Sequence, residues 1–316
     1  MRIGRWAGDT DTGRRRLRNE DAFVCEPPLF AVADGMGGAR AGEIAARLTA
    51  AALEEVGVET KGEQGVTAMI VEANRRVWER ALADPATAGM GTTVTVALVD
   101  TDSGTVAIGH VGDSRAYRMR GGSLEQLTTD HSLVAELVSS GVLTPEEAER
   151  HPQRSAITRA LGTEPTVEVE VLTIAGEPGD LYLLCSDGLP TMLADGAIAA
   201  TLEAAEGDPA VAAEALVVAA NQQGGEDNIT VVLFELAEGD APAAEPARAD
   251  TPGSHPGSDP TSVEPTQTAP TQEAGEAPAV DLRKHGAGPG GRLTAIASIV
   301  AVLVIGALAL YWGISK

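Results

Sequence analysis

Three apolar runs in this chain of 316 residues stop on an aspartate: FAVAD at Asp34, HVGD at Asp113 and LYLLCSD at Asp187. Two acidic pairs stand beside further strand-like runs, Glu20 and Asp21 before AFV, and Glu226 and Asp227 before ITVVLFEL. One aspartate at a strand end is ordinary turn chemistry; five acidic strand ends are harder to dismiss. Gathered on one edge of a sheet, such charges would repel by several kcal/mol unless cations neutralised them. Every candidate ligand is an oxygen, and no Cys or His cluster has zinc spacing, so the chemistry indicated is that of a hard dication, Mg²⁺ or Mn²⁺. Two such ions about 4 Å apart can hold a shared hydroxide for attack on phosphorus. In ADGMGG, Gly35 lacks a side chain, so its carbonyl can turn inward as a further ligand, while Gly37 and Gly38 let a substrate approach the backbone.

A phosphate also needs an anion hook outside the metals. RRRLRNED places Arg14, Arg15, Arg16 and Arg18 directly before Glu20 and Asp21, and a guanidinium grips two phosphate oxygens at once. A solvated basic loop is the usual reading of such a run; its place beside acidic metal candidates favours the functional one. Calcium competes at DTDTG (residues 9–13) and DTDSG (residues 100–104), but neither continues to the distal glutamate of an EF-hand. The second is expected to be a hairpin turn and the first an entry loop.

These residues need a scaffold. Alternating or apolar runs predict strands at FAVAD, TTVTVALVD, TVAIGHVGD, RAYRMR, VEVEVLTI, LYLLCSD and NITVVLFEL. Helical spacing appears in ARAGEIAARLTAAALEEV, GVTAMIVEANRRVWERAL and HSLVAELVSSG, and across residues 195–222. TPEEAER adds a capped start, with Thr144 at the N-cap, Pro145 at N1 and Glu147 in capping-box position. Consecutive strands without a helix between them, as in TVTVALVDTDSGTVAIGHVG, pair antiparallel through a short loop. The expected class is α+β, with sheets packed together and helices outside, rather than a doubly wound parallel sheet.

Composition sets the bounds. A hydrophobic content of 43% supports a real core, and a formal charge of -23 argues against a nucleic-acid partner. Residues 1–237 hold 37 acidic and 18 basic side chains, so -19 of that charge belongs to the part expected to fold. Cys25 and Cys185, both beside apolar runs, read as buried thiols in a reducing compartment. MRIGRWAGDT has no apolar stretch after its basic residues, so no secretory signal is expected there. Residues 238–291, rich in Pro, Ala, Thr, Glu and Gly, read as a disordered tether. Leu293 to Trp312 is a run of 20 uncharged residues, enough to span a bilayer. A membrane helix over 292–313 with a short tail at 314–316 is expected. Arg283, Lys284 and Arg292 before it, against Lys316 after it, place the large N-terminal part in the cytoplasm.

D-x-G-x-x-R-x-x-N-E-D at Asp11 to Asp21, A-D-G-M-G-G at Ala33 to Gly38, G-T-T at Gly91 to Thr93, G-D-S-R at Gly112 to Arg115, S-D-G-L at Ser186 to Leu189 and E-D-N-I-T at Glu226 to Thr230 occur in one order. Over residues 5–236 this set closely resembles the metal-dependent protein phosphatases of type 2C, the PPM family, in its bacterial form. The resemblance implies a four-layer αββα sandwich, two antiparallel sheets flanked by helix pairs, with two Mn²⁺ or Mg²⁺ ions at one end. It implies that Asp34 bridges both metals, that Gly35 gives its carbonyl to one, and that Asp187 and Asp227 complete the other shell. Glu20 and Asp21 would act through metal-bound waters, Asp113 would hold a weaker third metal, and Arg16 would grip the phosphoryl group. Arg14, Arg15 and Arg18 are then solvated or substrate-facing.

One departure from the family pattern bears on mechanism. Animal members carry a histidine, an acid for the leaving alcohol, where this chain has Met36, which cannot transfer a proton. His151, in a segment resembling the family's flap, is the candidate acid; His110 is expected in the core, and His131 as a cap or packing residue. The implied activity is hydrolysis of phosphoserine and phosphothreonine on proteins, opposing bacterial Ser/Thr kinases, by in-line attack of a metal-bridging hydroxide. A membrane-tethered pseudophosphatase that binds phosphoproteins without cleaving them is the alternative, and the full ligand set argues against it. A narrower enzyme acting on one phosphorylated regulator is a third reading.

Overall fold

A computed structural model describes residues 1–37, 41–57 and 61–239 of the chain. The expected span at 292–313, the tail, and the tether from residue 240 onward lie outside the described residues, among which no helix is long and apolar enough to cross a membrane. In chain order the elements are β1 (Arg2–Asp11), β2 (Asp21–Glu26), β3 (Leu29–Met36), α1 (Ala41–Gly57), α2 (Gly62–Ala83), β4 (Gly91–Thr92), β5 (Val94–Asp100), β6 (Thr105–Val111), β7 (Arg115–Arg120) and β8 (Ser123–Gln126). There follow α3 (Leu133–Ser139), α4 (Pro145–Glu149), β9 (Glu170–Ala175), β10 (Leu181–Cys185), α5 (Asp195–Ala204), α6 (Pro209–Gln222) and β11 (Ile229–Ala237). Two antiparallel sheets result, one ordered β1-β11-β10-β7-β8 and the other β2-β3-β5-β6-β9, with β4 added beside the end of β3.

The central strands read as unbroken apolar runs because both of their faces are buried. In β3, Phe30 and Val32 face the other sheet while Leu29 and Ala31 face the helices; in β11, Val232 and Phe234 face inward while Val231 and Leu233 face outward. The inward faces meet in a core where Phe30 stacks on Phe234 at 4.2 Å between ring centroids and Tyr182 stacks on Phe234 at 4.9 Å. Ala52 and Leu53 of α1 and Met69, Ile70 and Ala73 of α2 cover the outer face of one sheet. Ile198 and Leu202 of α5 with Leu216 and Val217 of α6 cover the other. The α+β class and its antiparallel pairing agree with the sequence reading.

Several elements depart from expectation. Residues 9–11 are not an entry loop: they end β1, paired with Val231, Thr230 and Ile229 of β11. A register shift between Ile3 and Trp6 breaks the alternation that would have marked this strand in the sequence. The stretch 195–222 is two helices, because Glu206 and Gly207 take positive φ of 50° and 74° and Asp208 caps the amides of Ala210 and Val211 ahead of Pro209. The short β8 has almost no sequence signal, because in SLEQ only Leu124 is apolar and packs on the core while the other three residues are exposed. The turn at 100–104 and the capping box at Thr144 and Glu147 are formed as expected.

Phe30 lies in the middle of the inter-sheet core and is fully buried. Phe30→Ala is expected to lower stability by about 3–5 kcal/mol in urea unfolding; a loss under about 1 kcal/mol would show that the two sheets are not packed as described.

Candidate metal centre

Strand pairing brings the acidic ends to one edge. Asp21 lies directly across from Asp34 in the β2–β3 ladder. Asp187 follows β10 and Asp227 precedes β11, two strands that pair antiparallel, so both fall at the same end. Asp113 precedes β7, whose Arg115 pairs with Cys185 at the end of β10. Five carboxylates from two sheets thus meet at the edge between them, and Glu20 adjoins Asp21.

Backbone contacts hold each acid in place. The amide of Thr93 (2.9 Å) and the hydroxyl of Thr92 (2.8 Å) donate to the Asp34 carbonyl, which explains the G-T-T motif. Gly35 sits so close to the first turn of α1 that a Cβ would overlap the Gly42 carbonyl, and its own carbonyl lies against Gly42. That approach is the structural reason for glycine at position 35. Ser186 (2.8 Å) and Thr230 (2.6 Å) donate their hydroxyls to Asp21 Oδ2. Asn228 closes the β1–β2 loop: its Nδ2 donates to the carbonyls of Thr12 and Arg18 (2.9 Å each) and its Oδ1 accepts from the Glu20 amide (2.8 Å). Arg16 Nη2 donates to Asp227 Oδ2 at 2.5 Å.

The site is short of positive charge. Burial, then the charges of Asp21, Asp187, Asp113 and Asp227, push Asp34 well above the usual carboxylate range. Burial likewise pushes Asp21 and Asp113 up to about 7 and Asp187 up to about 6, and raises Glu20. Asp227, Asp34 and Asp187 all act on Arg16 and hold its guanidinium above its ordinary range. Asp21 Oδ1 and Asp187 Oδ1 are buried and make no hydrogen bond. Unpartnered buried carboxylate oxygens, an all-oxygen donor set and unbalanced negative charge fit hard divalent cations. The side chains do not close into a ready cage, for among the described residues no group of three or more His, Cys, Asp or Glu is arranged to hold an ion as it stands. The Arg16 pairing draws Asp227 toward the guanidinium.

The remaining candidates separate. Asp113 and Asp187 line a cleft of about 920 Å³ together with Val134, Val138, Ala148 and Arg154, on and after α3 and α4. His151 follows α4 and its Nδ1 accepts from the Gln153 amide; it does not line that cleft. Met36 is half-buried against Gly91. His110 is a core residue, as expected, and His131 packs against it at 4.8 Å, with Ser132 rather than His131 capping α3. Cys25, half-buried rather than buried as expected, and Cys185, buried, are free thiols that burial pushes up to about 12. The sequence reading missed the supporting roles of Thr92, Thr93, Ser186, Asn228 and Thr230. Their signal was membership of the ordered motifs: Thr92 and Thr93 in G-T-T, Ser186 in S-D-G-L, and Asn228 and Thr230 in E-D-N-I-T.

Known proteins resemble this chain in sequence and in fold. A family model described as protein phosphatase 2C matches residues 12–217. The chain is 38% identical over 284 residues to the serine/threonine protein phosphatase PstP of Mycobacterium tuberculosis, covering 89% of this chain but only 53%, about half, of that relative. It is 38% identical to the serine/threonine phosphatase stp of Listeria welshimeri, over 72% of this chain and 93% of the other. A crystal structure of the catalytic domain of PstP in complex with two manganese ions superposes with a TM-score of 0.68 at 36% identity, covering 75% of this chain and 99% of that one.

Asp21, Asp34, Asp113 and Asp187 keep protons in the folded chain that the unfolded chain loses above pH about 4. Unfolding therefore releases protons, and in EDTA the Tm is expected to fall as pH rises from about 4 to about 7. His110, held down to about 3 by burial and His131, acts in the opposite direction as one group against four. Dications compete with those protons, so the rise in Tm on adding Mn²⁺ is expected to grow between pH about 5 and about 7.5. An increment independent of pH would contradict this account of the site.

Proposed function

Because this chain belongs to the protein phosphatase 2C family, we propose that it hydrolyses phosphoserine and phosphothreonine on proteins with the help of two Mn²⁺ or Mg²⁺ ions. The observation that carries the reading is the meeting of Asp34, Asp187 and Asp227 with Asp21 and Asp113 at one edge, with buried carboxylate oxygens left unpartnered. Asp34, Asp187, Asp227 and the Gly35 carbonyl hold the two ions. Asp113 serves a third, weaker ion, and Glu20 and Asp21 act through water. Bound there, the ions supply charge against the phosphoryl oxygens and lower the pKa of a water.

The protein's own groups do the rest. Arg16, once Asp227 is engaged elsewhere, is free to grip two phosphoryl oxygens and align the group for in-line displacement. Asn228, Thr92 and Thr93 keep Arg16 and Asp34 from drifting, because their bonds are to the backbone of the same loops. Met36 cannot protonate the leaving alcohol; His151, three residues from both Ala148 and Arg154 of the Asp113–Asp187 cleft though not itself part of its lining, is the candidate donor.

The partners proposed are phosphorylated proteins, among them Ser/Thr kinases and the substrates of those kinases. The composition of residues 238–291 and the uncharged run Leu293–Trp312 support a tether and a single membrane span at 292–313, with the catalytic part cytoplasmic. Anchoring would raise the local concentration toward membrane-bound kinases. Recovery of the full chain in the soluble fraction of lysed cells would refute the anchor.

Asp34→Asn is expected to reduce hydrolysis of p-nitrophenyl phosphate and of a phosphothreonine peptide by at least about 100-fold while leaving the circular dichroism spectrum unchanged. Excess EDTA is expected to stop turnover, and Mn²⁺ or Mg²⁺ to restore it. Turnover of Asp34→Asn near that of the parent with metal present would reject the assignment.

A further inference from the structure

The loop from Thr12 to Asn19 is exposed but not loose. Asn228, only 5% exposed, ties both of its ends, and the Gly225 carbonyl accepts from the amides of Arg14 (2.7 Å) and Arg15 (3.3 Å). Gly13, at φ +78°, packs so tightly on the Asp227 carbonyl that a Cβ would overlap it. On this fixed loop Leu17 is 99% exposed, the most exposed of the large hydrophobic side chains described. Around it, Arg15 pairs with Glu226 and Arg16 with Asp227, whereas Arg14 and Arg18 make no ion pair among the described residues.

We infer that Arg14, Leu17 and Arg18 form a docking platform for acidic segments that flank the phosphorylated residue of protein substrates. The inference rests on the phosphatase reading above and names the substrate class. Charge decides the partner: residues 1–237 carry 37 acidic against 18 basic side chains, yet four of those 18 fall within Arg14–Arg18 with no acid among them. An acidic substrate is repelled by most of this surface and drawn to that loop. Position decides the use, since the pairing of Arg16 with Asp227 ties this loop to the carboxylate cluster, beside which the residues flanking a bound phosphoresidue must lie. The anchoring by Asn228 and Gly225 means that little ordering is required when the segment binds.

The test uses the full chain and two phosphothreonine peptides of equal length, one flanked by Asp, Glu and Leu and one by Ser and Gly. The parent is expected to favour the acidic peptide in kcat/KM, and that preference is expected to shrink by about tenfold in Arg14→Gln/Arg18→Gln and severalfold in Leu17→Ser. Raising NaCl from about 50 to about 300 mM is expected to erode the preference in the parent and not in the double variant. A preference unchanged in all variants, or a loss equal for both peptides, would overturn the platform. Failure of the parent to cleave either peptide would instead reject the phosphatase reading. Docking is then decided by fluorescence anisotropy of the unphosphorylated acidic peptide, where weaker binding to the double variant supports it and equal binding refutes it. Binding of phosphatidylglycerol vesicles through this loop, with no preference between peptides, would assign it to a lipid surface and overturn the proposal.

Discussion

Like charge forced together is the constraint on which the rest of the structure depends. Asp21, Asp34, Asp113, Asp187 and Asp227 arrive from two sheets at one edge, where burial weakens the screening that water would provide. The chain meets this repulsion in three ways. Protons stay on carboxylates that would be ionised in water; serine and threonine hydroxyls stabilise Asp21; and Arg16 sets one cation against the cluster. None of these supplies as much positive charge as the acids carry, and that deficit is what makes the edge a place for dications.

The scaffold is built to withstand the deficit. Strands β3, β5, β10 and β11 are apolar on both faces, so the sheets are held by burial between them and beneath the helices, independently of the charged edge. Loops at the edge are fastened by backbone bonds rather than by the acids themselves. Asn228 bolts the β1–β2 loop to the start of β11, and Thr92 and Thr93 hold the end of β3. Those fastenings run through backbone and not through the carboxylates, so a change of partner at an acid would not require the element that carries it to move.

The same division explains the arginine loop. One member of its run, Arg16, faces the acids, while Leu17 and Arg18 face solvent on a backbone that Asn228 and Gly225 keep in one shape. A chain so acidic overall has few surfaces on which another acidic molecule can rest, and this loop concentrates positive charge at the rim of the site.

Much of this was legible from residue types alone. Apolar runs ending on Asp34, Asp113 and Asp187 identified the acids, and β-rich segments without helices between them implied antiparallel sheets, because those patterns are local and follow from strand periodicity. Strand β1 was not legible, since its register shift disrupts the alternation; nor was the break at Glu206 to Asp208, where backbone conformation rather than hydrophobic spacing ends the helix. Which acids would touch was likewise beyond the sequence, as was the pairing of Arg16 with Asp227 and the tie from Asn228 to Thr12 and Arg18, residues some 210 positions apart. The sequence by itself determined the chemistry, because the kind of ligand is a property of the side chain. Only the tertiary structure decided the partners, because register and sheet order set which distant backbones share an edge.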